Sequence, residues 1–314
     1  MTVILGTIEQ GLIYAIMALG VYITYKILDF PDLTVDGSFP LGGAVTAPLL
    51  VAGLHPLLTL PVAFAAGAVA GTITGFIHVK LRVQNLIAGI IVATGLYTIN
   101  LRIAKTSNIP FRGFQTLFRN PFLSESVPSA LAPYMSLILI VVVSLASKFI
   151  LDWYLGTKSG YLLRAVGDND LLVTTLAKNK GSVKIIGLAI ANGLTALAGA
   201  VMVQWQGYFD ISMGVGTVVI GLASVVVGLA LSKRLSWLKV TTAVVSGAIL
   251  YRACIALALQ VGTINLGLFT ISITANDLKL LTAILLLVTL VMSWERTKKV
   301  RSNGAKPDEV KFDA

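Results

Sequence analysis

One arginine lies deep inside a long apolar run of the sequence. Arg252 is about eight residues from the carboxyl end of the run Leu238 to Gln260, hence roughly 12 Å from that end along a helix axis. A buried guanidinium costs at least about 2.5 kcal/mol in a membrane, so it needs a polar or acidic partner. Asp210 and Asp277 are the candidate partners. Two roles stay open: a structural ion pair, or a polar position on a path through the protein.

Further polar side chains lie inside or at the ends of apolar runs. Three carboxylates alternate with apolar residues in the stretch Asp29 to Pro40, where prolines interrupt helices and Asp36 to Ser38 offer turn and cap groups. This stretch is a plain loop, an inner gate or the entry of a half-helix. Amides in membrane helices usually hydrogen-bond neighbouring helices, so they are structural or they touch a solute. The candidate path residues are Asp36, Ser38, Asn85, Asn192, Gln204, Gln206 and Arg252.

Enzyme chemistry finds no support in the residue types present. The 2 histidines and 1 cysteine cannot assemble a Cys/His zinc set. The stretch Gly156 to Ser159 lacks the glycine before lysine that a phosphate-binding loop requires. We therefore predict no catalytic residue, no metal and no bound cofactor on this chain. If ATP drives it, a separate subunit must hold the ATP and its magnesium.

The composition favours lipid as the solvent of this chain. Of its 314 residues, 56% are hydrophobic and only 12% are charged, against roughly 25% charged in soluble domains. The net charge of +10 does not indicate nucleic acid, because the cations alternate with apolar segments instead of clustering on one face. The bilayer is the partner that this pattern predicts.

Nine apolar segments can be drawn, each compatible with a membrane helix of about 20 residues. They predict an all-α polytopic membrane helical bundle of about nine transmembrane helices, with eight to ten allowed. The second segment contains Pro40 and Pro48 and is the candidate for a broken or re-entrant helix. Gly67, Gly71 and Gly75 lie on one face of the third and predict close helix packing. The segments are 3–27, 38–53, 60–79, 83–101, 134–153, 183–204, 215–231, 238–260 and 273–294.

The lysines and arginines orient these segments. Cytoplasmic loops carry an excess of both residues, and the count is most asymmetric with the N-terminus outside and the C-terminus inside. The membrane domain is then 1–294, with a cytoplasmic loop at 160–184 and a polar cytoplasmic tail at 295–314. Four cations remain on an outer loop, where they are candidates to attract an acidic partner: Arg102, Lys105, Arg112 and Arg119.

The cytoplasmic loop 160–184 is longer than a turn needs. Its sequence, GYLLRAVGDNDLLVTTLAKNKGSVK, predicts a short amphipathic helix from Asn169 to Ala177. Such a helix either rests on lipid and its own bundle or docks into a partner. The residues that would contact a partner are Arg164, Gly167, Asp168, Asn169, Asp170, Leu171, Leu172 and Lys178.

Several stretches of the chain resemble one known family. These are GLIYAIMALG from Gly11, FPDLTVDGSFPLG from Phe30, NGLTALAGAVMVQWQGYFDISMGVGTVVIGLASVVVG from Asn192, YRACIALAL from Tyr251 and NDLKLLTA from Asn276. They look like permease subunits of bacterial ABC importers, in the branch that holds branched-chain amino acid and ribose permeases. Within that branch they are similar to the subgroup assigned to tryptophan or tyrosine uptake.

This resemblance implies a location, partners and a mechanism. The permease would lie in the bacterial cytoplasmic (inner) membrane and pair with a second permease chain, identical or paralogous. Loop 160–184 would hold the coupling helix that sits in a groove of an ABC ATPase subunit. An extracytoplasmic binding protein would deliver a small solute, an aromatic or other amino acid, for import by alternating access. Some relatives have ten helices with both ends inside.

One other kind of transporter stays open as the alternative. An ion-coupled secondary transporter of a small solute would need ionisable groups at mid-membrane. Only Arg252 meets that requirement clearly in the sequence.

Overall fold

The structure is a computed structural model that describes residues 2–119, 134–168 and 179–261 except 234 and 236, two short strands beyond them, and positions 280, 283, 284 and 287. The helices are α1 (Thr2–Tyr22, continued by a π-helical turn Ile23–Ile27), α2 (Val35–Val51), α3 (Pro56–Leu81), α4 (Asn85–Ala104), α5 (Met135–Leu155), α6 (Lys158–Asp168), α7 (Lys180–Gln206), α8 (Thr217–Ser232, after a 3-10 turn Ile211–Gly214) and α9 (Val240–Val261). The strands are β1 (Asn108–Pro110), β2 (Tyr208–Asp210), β3 (Thr263–Asn265) and β4 (Thr270–Ser272).

The described part of the chain is a bundle of membrane-length helices. Seven of its helices are long and apolar enough to cross a membrane, and the shorter apolar helix α2 packs among them. The predicted all-α polytopic bundle is therefore confirmed, and the first eight predicted segments each coincide with a helix to within a few residues. The ninth, 273–294, and the tail 295–314 fall outside the described residues apart from the four isolated positions.

The segment expected to be broken by proline is one continuous helix. Pro40 and Pro48 both lie inside α2, so the prediction that the second segment is broken is wrong. Re-entry stays a prediction for α2, whose 17 residues make it shorter than the membrane-length helices. Pro40 has no N–H to donate to the carbonyl of Asp36. Gly214 packs against that carbonyl so closely that an added Cβ would lie 2.1 Å from the oxygen. Burial among its neighbours keeps α2 helical across both prolines.

Non-helical backbone enters the bundle just before α2, in the connection from α1. The connection from α1 to α2 is buried at Phe30 and Asp32. A Cβ on Gly37 would lie 3.0 Å from the Cα of Ala93, which is about eight residues, or about 12 Å, along α4 from its inner end. Helix α2 therefore begins well inside the bundle. Non-helical backbone is tolerated at such depth only where protein or a cavity covers it.

Helices α2, α3 and α7 pack backbone to backbone through glycines. A Cβ on Gly42 would lie 1.8 Å from the carbonyl oxygen of Ala196. A Cβ added to Gly71 would lie 2.1 Å from the carbonyl oxygen of Leu188, and a Cβ added to Gly67 would lie 2.3 Å from that of Asn192. Small residues allow this approach where side chains would hold the helices apart. The glycine spacing in α3 was thus correctly interpreted as a packing face.

The helices end at two opposite ends of the bundle, which we call inner and outer after the orientation that the cations predict. On the inner side, Gly167 of α6 packs against the carbonyl of Ile27, which ends α1. On the outer side, β1 pairs antiparallel with β2, joining Asn108 to Asp210. The outer loop after α4 is thereby tied to the outer end of α7.

Candidate functional site

The inner half of the bundle contains a buried hydrogen-bond network. The amide of Asn192 on α7 donates to Asp32 Oδ2 at 2.8 Å and accepts from the Ser38 hydroxyl at 2.7 Å. The other carboxylate oxygen of Asp32 accepts from the backbone N–H of Thr34 at 2.9 Å. Asp32 is only 4% exposed. The structure thus brings together Ser38 and Asn192, two predicted path residues, around a carboxylate absent from that predicted set.

Asp36 caps the amino end of α8. Its carboxylate accepts from the backbone N–H of Val218 at 2.8 Å, the Thr217 hydroxyl at 3.0 Å and the backbone N–H of Gly216 at 3.2 Å. A carboxylate at a helix amino end satisfies free N–H groups and opposes the positive end of the helix dipole. Asp36 therefore ties the start of α2 to the amino end of α8, which belongs to the membrane-length segment Ile211–Ser232.

Two of the predicted amides lie on the outer side and one on the inner side. Gln204 is buried and bridges three elements: it donates to Thr59 Oγ1 at 3.0 Å and accepts from the backbone N–H of Leu117 at 3.0 Å. Gln206 donates to the carbonyl of Tyr208 at 3.3 Å. Asn85 begins α4 at its inner end. The seven predicted path residues therefore do not form one site: Ser38 and Asn192 meet, whereas Asn85, Gln204 and Gln206 lie near the two ends of the bundle.

Arg252 has a neutral partner. Its guanidinium donates to the side-chain carbonyl of Gln10, with the Nε contact at 2.7 Å, and lies 5.5 Å from the ring centroid of Tyr14. Asp210, one of its two candidate partners, does not pair with it, because Asp210 accepts from Ser212 and Asn108 on the outer surface. Asp277 lies outside the described residues.

Sequence reasoning misses an acidic residue that precedes Gln10, the partner of this arginine. Glu9 on α1 is 6% exposed, and its carboxylate accepts from the indole N–H of Trp205 at 3.0 Å. The sequence signal that identifies Glu9 is an acidic residue inside the first apolar run. One turn further along α1, the Tyr14 ring stacks on Phe39 with centroids 5.9 Å apart. Charged and aromatic groups from four helices, α1, α2, α7 and α9, thus meet in this part of the bundle.

The four outer cations are all exposed. Arg102 lies in the last turn of α4, Lys105 ends that helix in a left-handed conformation, and Arg112 and Arg119 follow in the outer loop. The Arg119 guanidinium donates to the carbonyl of Arg112 at 3.2 Å. Nearby, desolvation opposes ionisation of Asp210, but hydrogen bonds from Ser212 and Asn108 outweigh it and lower the pKa of that carboxyl.

The cytoplasmic loop is described only in part. Arg164, Gly167 and Asp168 belong to α6, whose buried positions are Gly160, Leu163 and Val166. Helix α6 thus presents one apolar side to the bundle at the inner end of α1. The expected short helix falls outside the described residues, and with it Asn169, Asp170, Leu171, Leu172 and Lys178.

The fold defines the class of protein as a multi-pass helical membrane protein with polar side chains deep in its bundle. Over residues 3–291 the chain matches the family model described as branched-chain amino acid transport system / permease component, and it belongs to that family. It is thus the permease component of a transport system, a membrane subunit rather than a catalytic enzyme.

Individual relatives agree with this family. The chain is 41% identical over 290 residues to a tyrosine transport system permease protein of Clostridioides difficile, covering 92% of this chain and 91% of that one. It is 28% identical over 202 residues to the ribose import permease protein RbsC of Haemophilus influenzae, covering 63% and 60%. The Escherichia coli K12 protein of that name is 26% identical over 209 residues, covering 67% and 63%. No solved structure matches the chain significantly.

Proposed function

We propose that this chain is the membrane subunit of an ATP-driven importer that carries an amino acid, most specifically an aromatic one, across a bacterial inner membrane. The observation that carries the proposal is the 41% identity, along 92% of the chain, to a relative named as a tyrosine transport permease. The similarity to that relative extends along 92% of the chain, whereas the similarity to the ribose permeases covers only 63% or 67% of it.

The partners in this proposal occupy opposite ends of the bundle. ABC ATPase subunits, which hold the ATP and magnesium, bind the inner side through loop 160–184. Helix α6 supports that role because Gly167 packs on Ile27 at the end of α1, so a force on the loop reaches a core helix directly. A binding protein docks outside on the exposed cations, and a second permease chain completes the path. ATP binding then shifts the pair between two packed states.

One observation favours the rival reading of an ion-coupled transporter. Asp32 is a buried carboxylate inside the bundle, a feature that proton- or ion-coupled carriers use and that the sequence alone left unrecognised. Hydrogen bonds from Thr34 and Asn192 hold both of its oxygens. This arrangement equally suits a structural network that fixes α2 against α7.

The deciding experiment is uptake of labelled tyrosine into proteoliposomes that contain the permease, its ATPase and its binding protein. We expect accumulation that needs internal ATP, is abolished by a hydrolysis-dead ATPase and persists with a proton uncoupler. Leucine and ribose, added as competitors, test the substrate class. Uptake by the permease alone, abolished by the uncoupler, would establish the ion-coupled alternative instead.

A further inference from the structure

Two opposite charges contact the same turn of α1 in the outer half of the bundle without pairing with each other. Glu9 accepts from the neutral indole of Trp205 at 3.0 Å, and Arg252 donates to the neutral amide of Gln10. Neither has an oppositely charged partner among the described residues. Charges inside a membrane usually pair with one another, so two that are held apart by neutral side chains need an explanation.

The two charges flank the same turn of α1. Glu9 and Gln10 are consecutive residues, with Cα atoms about 3.8 Å apart, and they face different neighbours: Glu9 faces α7 and Gln10 faces α9. Arg252 also covers the ring of Tyr14, at 5.5 Å from its centroid. We call Glu9, Gln10, Tyr14, Trp205 and Arg252 the outer polar cluster.

We infer that the outer polar cluster is a transit site for an aromatic α-amino acid, in which Glu9 holds the ammonium and Arg252 holds the carboxylate. This inference rests on the proposed function and names the residues that serve it. A zwitterion offers each charge an opposite charge at once. Charge-assisted hydrogen bonds are roughly twice as strong as neutral ones, so the ligand displaces the Trp205 and Gln10 contacts.

Aromatic surface beside the charges suits the side chain of such a ligand. The Tyr14 ring, backed by Phe39, becomes free on its other face when Arg252 turns to a carboxylate. Trp205 is half-buried at the outer end of α7, and Tyr208 beyond it is 36% exposed. The cluster therefore lies beneath partly exposed aromatic side chains at the outer end of α7, the side from which a solute would arrive in this proposal.

The test measures equilibrium binding to the purified permease–ATPase complex in nanodiscs, without ATP and without binding protein. The probes are labelled tyrosine, tyramine, which lacks the carboxylate, and 3-(4-hydroxyphenyl)propionate, which lacks the ammonium. We expect tyrosine to bind at least tenfold more tightly than either analogue. Arg252→Gln should abolish the preference over tyramine, and Glu9→Gln the preference over the propionate.

Matched variants separate ligand contact from structural damage. Lys148→Gln removes another membrane-embedded cation, which pairs with Asp152 at 2.9 Å away from the cluster, and should leave all preferences unchanged. Arg252→Lys keeps the positive charge and should keep most of the preference over tyramine. A purely structural role for Arg252 would instead weaken binding of all three probes by the same factor.

Failure here is distinguishable from failure of the proposed function. Equal binding of the three probes by the wild-type complex, or no binding at all, overturns the transit site and leaves ATP-driven uptake to be judged by its own assay. Preferences that survive Glu9→Gln and Arg252→Gln overturn it as well. ATP-independent uptake would refute the proposed ATP-driven importer. The binding preferences of the three probes would still decide whether the outer polar cluster is a transit site.

Discussion

Asp36 joins two helices that are distant in the chain. It lies in the first turn of α2, yet its carboxylate caps α8 through Gly216, Thr217 and Val218. Gly214 packs against the backbone of the same residue. One side chain and one carbonyl therefore fix the position where the chain returns into the bundle and begins α8.

Removing this cap should destabilise the protein. Asp36→Ala leaves the backbone N–H groups of Gly216 and Val218 without their acceptor, at a cost of about 1–3 kcal/mol for a charged cap of this kind. The Thr217 hydroxyl keeps the carbonyl of Gly214 as an acceptor, at 3.0 Å. Thermal unfolding in detergent measures the loss. Asp29→Asn is the control, because it removes an exposed carboxylate and keeps a side chain that tolerates the positive φ of 48° found there. Equal stability of Asp36→Ala and wild type would contradict the capping role.

At the scale of elements, α2 is held by backbone contacts rather than by interlocking side chains. Gly42 meets the Ala196 carbonyl of α7, and Gly199 of α7 meets the Phe39 carbonyl of α2. Reciprocal contacts of this kind fix both the distance and the register of two helices. They also bring Ser38 to Asn192, so the buried network depends on the absence of side chains nearby.

A methyl group at this contact should separate the two helices. Gly42→Ala places a Cβ 1.8 Å from a carbonyl oxygen, which only a backbone shift can relieve, and we expect a loss of about 3 kcal/mol or more. Gly95→Ala is the matched control within α4, since a Cβ there meets nothing within 4 Å. Alanine is the better helix former by about 1 kcal/mol, so the control should be neutral or slightly stabilising. Denaturation in detergent compares the two, and equal effects would refute the contact.

At the scale of the whole molecule, exposed cations lie at the two ends of the bundle and exposed apolar side chains lie between them. Helices α3, α4 and α5 expose large apolar side chains such as Phe76, Ile91 and Phe149. These side chains face lipid or another membrane helix, as a bundle in a bilayer requires. The outer end, by contrast, presents Arg102, Lys105, Arg112 and Arg119 to water.

Reversing outer charge should slow docking of an acidic binding protein. Arg102→Glu combined with Arg112→Glu removes two cations and adds two anions, so we expect an association rate at least about tenfold lower at low salt. The difference should shrink at 1 M salt, where the Debye length is only about 3 Å. Surface plasmon resonance on nanodiscs measures the rate.

The control for this docking experiment reverses two exposed inner cations, Lys80→Glu with Lys158→Glu. These lie at the other end of the bundle and should leave association unchanged. Unchanged association of the outer variant would contradict steering by these cations.

The sequence by itself determined the class of fold and the helix positions, because burial in lipid demands long apolar runs and these runs are local. It also singled out Asp36, Ser38, Asn192 and Arg252, since polar groups in apolar runs are conspicuous. The prediction from the sequence is wrong for α2, because its prolines predict a break and dense packing keeps the helix continuous.

Only the tertiary structure decided which polar groups meet. Asp32 reaches Asn192 from 160 residues away, and Trp205 reaches Glu9 across 196. No local rule pairs such residues, because their neighbours depend on which helices pack together and at which register. For the same reason Arg252 meets Gln10 instead of a carboxylate. Hydrophobic patterning is a property of each segment, whereas a site is a property of their arrangement.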